Sequence, residues 1–402
     1  MASKKGLNNT NLKQENRGLI LKEIATGECS TRIDLAKKTG LSKMSVSNII
    51  SEFMERGIIC EQETEKTEGQ GRNPISLCIT ARAPKIIGLN IHRTECVAVL
   101  SNLQLQVQRI ARTPLTDDNS GDFYPLIFRL MDEVMVEEEW SNILGIGVGS
   151  SGPLDIKRGI ILNPPDFHGL HDLEIITALW EHYHRPVYMD SQYNCAALAE
   201  KYYGMGKSFH DLLFVGIARG IGSGIISDDK IFHSVNGFTS ELGHVSVAWN
   251  GNHCSCGNRG CLETYAGSEV IRKRLVQVTG EDKSFREFCE EAARAVDQKS
   301  GTERALQIQE IYSDMMEKLA CAITSAVNML NAEAVIIGHA GCNIPDYYLR
   351  RLEELINAQK LSANYRHVRV CKPYFREEAH ILGCACAVLS KIFEGKEDFY
   401  LS

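Results

Sequence analysis

The chain has 402 residues, 44% of them hydrophobic and 24% charged, with a formal net charge of −7 and 14 cysteines. Such a length supports about two or three cored domains, which excludes a small disulfide-stapled module. The opening MASKKGLNNTNLKQEN lacks a signal-peptide core, and no run nears the roughly 18 apolar residues of a membrane span, so a reducing, cytoplasmic compartment without membrane contact is expected. Charge is uneven: residues 1–85 hold 14 Lys and Arg against 10 Asp and Glu, +4, leaving −11 for the remainder. A basic head on an acidic body restricts contact with a polyanion to the head.

In ENRGLILKEIATG, Leu19, Ile20 and Ile24 fall at helical spacing and Gly27 supplies a stop, so a first helix is predicted over 15–26. Ser30 is read as the cap of a second, TRIDLAKK. The turn Thr39-Gly40-Leu41 follows, and Ser42 caps a third helix, completing a helix-turn-helix. There Val46, Ile49, Ile50 and Phe53 form the buried stripe, which leaves Lys43, Met44, Ser45, Ser47, Asn48 and Ser51 toward solvent. Short polar side chains at a helix N-terminus suit base edges and phosphates in a major groove. IICEQETEKTEGQGRNPISLCIT then reads as a hairpin wing with Arg72 near its tip, suited to a narrow minor groove, while Glu61, Glu63 and Glu65 point away from DNA.

From Lys85 the pattern changes. KIIGLNIHRTECVAVLS and LQVQRIARTPL read as paired strands, FYPLIFRLMDEVMVEEEW as an amphipathic helix, and ILGIGVGSSGPLD as a buried strand. Further strands at PVYMD, LLFVGIARGIGSGIIS, AEAVIIGHAG and HVRVCKP alternate with helices, notably Glu303–Asn331, which predicts an α/β body of two lobes. Cys321, Cys384 and Cys386 lie in Ala-rich apolar surroundings and read as core.

Within ELGHVSVAWNGNHCSCGNRGC, His244, Cys254, Cys256 and Cys261 offer one imidazole and three thiols. Four soft donors suit a tetrahedral structural Zn2+ and leave no open position for water. The interleaved Gly251, Gly257 and Gly260 give the loop little apolar face to pack, and His253 is a competing imidazole that spacing leaves open.

With ELGH, the CSCGNRGCLE block, NCAALAE after PVYMD, GIGSGI and a winged helix-turn-helix head carrying GRNP, the chain resembles the ROK family of sugar kinases and sugar-responsive repressors over nearly its whole length. The head is similar to that of the repressor branch. The resemblance implies an α/β, actin- and hexokinase-like (ribonuclease H-like) body with a ligand cleft between its lobes. It places the DNA-binding domain at 1–82, a small lobe at 83–193 with about 380–402, and a large lobe carrying the zinc site at 194–379.

The chain departs from the kinase pattern. Where the family's phosphate hairpin reads Asp-x-Gly-Gly-Thr, this chain has Asn90-Ile91-His92-Arg93-Thr94, and its second loop, usually Gly-Thr-Gly, reads Ala218-Arg219-Gly220-Ile221-Gly222. Gln192 falls at the catalytic base, where an amide cannot accept the sugar proton; a two-residue slip would substitute Asp190 but misplace Asn194. A non-enzymatic sensor is therefore expected, with a sugar kinase bearing a regulatory head as the alternative. The resemblance implies ligand contacts from Glu241, His244 and Glu263, with Asp166, Ser191 and Gln192 at positions where this chain differs. The effector is then an amino sugar, pentose, polyol or oligosaccharide; Asp166 suits a cationic amine or is an exposed loop carboxylate. The expected regulator, a repressor with activation left open, meets operator DNA as a homodimer or homotetramer.

Overall fold

The structure, a computed structural model, describes residues 9–63, 75–233, 240–298, 301–361 and 363–397. The chain divides into two compact units: 1–190 with 384–402, and 191–383.

The first unit opens with α1 (Asn9–Ala25), α2 (Arg32–Thr39), α3 (Lys43–Glu55) and an antiparallel hairpin of β1 (Ile59–Glu63) and β2 (Ile75–Ile79). The first helix starts earlier than the predicted 15–26. The cap of α2 is Thr31, not Ser30: the Thr31 hydroxyl accepts the Asp34 amide at 3.1 Å, while the Ser30 carbonyl accepts from Leu77 of β2 at 2.7 Å. Gly40 takes the left-handed conformation (φ 71°) that ends α2, and Ser42 caps α3 by accepting from the Ser45 amide. Val46, Ile49, Ile50 and Phe53 are buried as the stripe required, each burial contributing about 1.5–3 kcal/mol.

The rest of this unit is a sheet of β3 (Lys85–Ile91), β4 (Glu95–Ser101), β5 (Val107–Pro114), β6 (Ile143–Ser150) and β10 (Val187–Ser191) in the order β10-β6-β3-β4-β5. Between them come α4 (Phe123–Val134), a small sheet of β7 (Leu154–Asp155), β8 (Ile160–Ile161) and β9 (Leu173–Glu174), and α5 (Ile175–Tyr183). β3, β4 and β5 form an antiparallel meander, and β3 pairs in parallel with β6. Every residue of β6 is buried. Its glycines exist for packing: a Cβ on Gly147 would stand 1.9 Å from the Cys384 carbonyl oxygen, so only glycine lets the C-terminal helix α12 (Ala379–Phe393) lie on the strand. The end of α12 also receives the head, because a Cβ on Gly18 of α1 would stand 2.4 Å from the Ile392 carbonyl oxygen.

The second unit repeats this plan. Its sheet runs β13-β12-β11-β14-β15, from β11 (Leu212–Ile217), β12 (Ile221–Ser227), β13 (Lys230–Ile231), β14 (Ala334–His339) and β15 (Arg369–Cys371). Both sheets have an antiparallel three-strand meander whose first strand is central and pairs in parallel with the next strand. Around it stand α6 (Gln192–Tyr203), α7 (Glu263–Ala266), α8 (Ser268–Thr279), α9 (Phe285–Asp297), α10 (Glu303–Leu330) and α11 (Asp346–Gln359). Cys384 and Cys386 are buried as expected, but Cys321 is exposed: the neighbours that fill the core from α10 are Leu319, Ala320, Ala322 and Ile323, and position 321 falls on the outer side. No helix among the described residues is long and apolar enough to cross a membrane.

Candidate functional site

At the start of α3, Lys43, Met44 and Asn48 are exposed and Ser45 and Ser47 half-buried. Met44 is 74% exposed although it is apolar, which a solvated helix face does not require. Ser45 is partly engaged by the cap, its hydroxyl 2.9 Å from that of Ser42. Glu61 pairs with Arg32 of α2, which turns this carboxylate onto the head itself. Arg72 and Glu65 lie outside the described residues.

The zinc-type donors meet. His244 closes a 3-10 turn (Leu242–His244), and a short ladder follows in which Val247 donates to the Gly260 carbonyl and Leu262 to that of Val245. Between them the chain folds into a knuckle, with the Cys254 amide donating to Asn258 and that of Gly257 to Cys254. Gly260 (φ 74°) is obligatory here, since a Cβ would stand 1.9 Å from the Ala248 carbonyl oxygen. The result brings one ligand atom each of His244, Cys254, Cys256 and Cys261 within 4.8 Å of one another. Cys254 Sγ lies 3.6 Å from His244 Nδ1, and Cys256 Sγ lies 3.7 Å from Cys261 Sγ. His253 is outside the cluster and pairs with Arg259 in a backbone bridge. Burial pushes the Cys254 thiol up to about 12 and raises Cys261, whereas the backbone amide of Asn258 holds Cys256 below its ordinary value. Three thiols packed together, two of them disfavoured as lone thiolates, fit a cation that stabilises all three as anions.

Glu263, at the start of α7, reaches this cluster: its Oε1 accepts from Cys254 Sγ at 3.2 Å and lies 3.7 Å from His244 Nδ1. Glu241 sits one turn before His244, whose amide donates to the Glu241 carbonyl. Desolvation raises the Glu241 carboxyl, His244 opposes the rise and Glu263 adds to it. Glu241, His244 and Glu263 therefore form one electrostatic group beside the metal donors.

The other ligand candidates have partners of their own. In the first unit Asp166 (φ 55°) is exposed and lies 3.8 Å from the Arg93 guanidinium. The adjoining His168 bridges the Arg93 carbonyl and Asp117, each at 2.7 Å. This fastens the Pro-rich loop onto the His92-Arg93 turn, a link no spacing rule reveals. In the second unit Ser191 caps α6 by accepting the Asn194 amide, and Gln192 is 3% exposed. Sequence reasoning passed over Tyr193. Its ring covers the glycine hairpin of β11 and β12, where a Cβ on Gly216 or Gly222 would stand 2.5 or 2.0 Å from it. It also lies 5.0 Å from the His339 ring, which stacks on His380 at 4.2 Å. His339 (φ 54°, ψ −142°) holds a conformation close to one that is essentially glycine-only. A histidine between Gly338 and Ala340-Gly341 was the available signal.

The ROK family model matches residues 86–391, which covers both sheets and the metal cluster. The chain belongs to the ROK family. Among ROK proteins it is 29% identical to the xylose repressor of Caldicellulosiruptor bescii, over 97% of this chain and 99% of that repressor. It is 25% identical to the DNA-binding transcriptional repressor Mlc of Escherichia coli, over 93% of each. A crystal structure of a ROK transcriptional regulator, described as a homolog of the E. coli Mlc protein, superposes with a TM-score of 0.77 at 23% identity, covering 96% of this chain and 98% of that one. The ROK hexokinase from Thermus thermophilus superposes at 0.63 and 23% identity, covering 75% of this chain and 97% of the hexokinase.

Proposed function

We propose that this ROK protein is a cytoplasmic DNA-binding transcriptional repressor whose body binds a carbohydrate effector without phosphorylating it. The observation that carries this reading is the head, through which the similarity to the xylose repressor continues over 97% of the chain. Lys43, Met44, Ser45, Ser47 and Asn48 enter the major groove, and Arg72 the minor groove. A symmetric homodimer or homotetramer presents paired heads to a two-fold operator. The effector acts through its differential affinity for DNA-competent and DNA-incompetent states.

Loss of kinase activity is supported by what fills the two phosphate loops. The His92-Arg93 turn is tied to Asp166 and His168, and in the second loop Tyr193 packs against Gly222 while a Cβ on Gly220 would stand 3.0 Å from Glu263 Oε2, which crowds the place where backbone amides would have to approach a phosphate. Gln192 cannot act as base. Phosphoryl transfer depends almost wholly on positioning and charge stabilisation, so these losses together abolish it. Assay of sugar-dependent ATP turnover tests this; robust hexose or pentose phosphorylation would overturn it.

Zn2+ held by His244, Cys254, Cys256 and Cys261 would cross-link the knuckle to the turn that carries Glu241. Glu241, His244 and Glu263 then accept from and donate to sugar hydroxyls, with Ser191 and Gln192 of the same unit setting specificity. The relatives include proteins named for xylose and for N-acetylglucosamine, so a pentose and an amino sugar head the test. Thermal-shift measurements with xylose, N-acetylglucosamine and glucose, repeated on Glu241→Ala, check the site: a sugar must stabilise the parent and not the variant. Equal shifts in both would remove Glu241 from it.

A further inference from the structure

Outside the metal centre, two cysteines face one another across the hairpin of the head. Cys60 of β1 is the direct cross-strand partner of Cys78 of β2. Hydrogen-bond parity fixes the kind of pair. The Thr80 amide donates to the Ile58 carbonyl at 2.9 Å, one step beyond the ladder, and the Leu77 amide is turned away from β1 to Ser30. Positions 58/80 and 60/78 are therefore hydrogen-bonded pairs, and 61/77 is not. Such a pair holds its Cα atoms about 5.5 Å apart, inside the ~4.4–6.8 Å that a disulfide spans. Directly paired residues project from the same side of the ribbon, here with Gln62 and Ser76. Cys78 Sγ donates to Gln62 Oε1 at 3.3 Å, and both thiols are free and only half-buried. The opposite side carries Ile59 and Leu77, both buried.

We propose that Cys60 and Cys78 form an oxidation site, converted by a peroxide to a disulfide across the base of the wing. One thiolate attacks a peroxide oxygen, the O–O bond breaks, and the sulfur becomes a sulfenic acid with release of hydroxide, which takes up a proton to give water. The second thiolate then displaces hydroxide from that sulfur, forming the S–S bond and a second water after protonation. Two thiols are oxidised by two electrons and one hydrogen peroxide is reduced to two waters. The bond closes the segment carrying Arg72 into a covalent loop and locks the register of β1 against β2. This chemistry belongs to the hairpin and holds whether or not the head binds DNA.

The test uses the full, metal-loaded chain exposed to hydrogen peroxide, followed by alkylation of remaining thiols and digestion without reduction. A peptide pair joined through Cys60 and Cys78 is expected, lighter by about 2 Da than the two free peptides, with two fewer alkylatable thiols and full recovery on adding dithiothreitol. Cys60→Ser and Cys78→Ser each abolish the link. Peroxide that leaves both thiols alkylatable, oxidises each separately, or joins either one to a different cysteine overturns the assignment, and this map of the parent protein requires no variant to fold.

Discussion

Replacing Gly18 with alanine tests how the head is seated on the rest of its unit. In an exposed helix the change stabilises by about 1 kcal/mol, because alanine gives up less backbone entropy. Here the added Cβ would stand 2.4 Å from the Ile392 carbonyl oxygen and 2.7 Å from that of Phe393. Both are backbone atoms at the end of α12, so no side chain can swing aside. Ordinary contact begins at 3.4 Å, so α1 and α12 must part by about 1 Å. Gly395 makes the reciprocal approach, its Cβ position lying 2.6 Å from Glu15 Cα, so that displacement is opposed at a second point. Overpacking of this kind costs about 1–3 kcal/mol, and subtracting the propensity gain leaves a net loss of about 0–2 kcal/mol. Urea unfolding of the parent, Gly18→Ala and the control Gly121→Ala, whose Cβ would meet nothing within 4 Å, measures it. A Gly18→Ala protein more stable than the parent by about 1 kcal/mol would refute the seating of α1 on α12.

Three further outcomes are expected. Cys256→Ser should lose bound zinc by elemental analysis, and its melting temperature should no longer respond to a chelator that lowers the parent's; unchanged metal content would remove Cys256 from the ligand set. Lys43→Ala should reduce the slope of log affinity against log salt on duplex DNA by about 1 if Lys43 neutralises a phosphate, while Met44→Ala leaves that slope alone. Burial lowers His92 to about 4, with Arg93 adding repulsion, against 6.5 for the unfolded chain. The folded state thus favours the neutral ring, so stability is full above about 6.5, falls as the unfolded chain protonates first, and levels below about 4. The contribution is at most about 3 kcal/mol, and urea midpoints at pH 7.5 and 5 should differ less in His92→Gln than in the parent.

Periodic features were legible because local spacing alone decides them. The buried stripe of α3 follows from 3.6 residues per turn, and the run of β6 from a strand covered on both sides. The metal-capable cluster was legible because soft side chains gather within a few residues of one knuckle, although only the fold placed His253 outside it. The cap at Thr31 was not, since Ser30 and Thr31 are chemically equivalent candidates until β2 takes the Ser30 carbonyl. Cys321 misled because an Ala-rich neighbourhood does not say which side of a 28-residue helix meets the core.

The amino-acid sequence by itself determined most of the elements, the basic head and the four side chains of the metal-capable cluster, which depend on residue type and short-range spacing, whereas the departures from a phosphate-binding pattern are legible only through the resemblance to the ROK kinases. The tertiary structure alone decided what those residues touch. Arg93 meets Asp166 and His168 across more than 70 residues of chain, and Tyr193 of α6 reaches Gly216, Gly222 and His339 on three strands. It also decided that Cys60 opposes Cys78, because strand register is set by pairing and packing between segments that the linear sequence keeps apart.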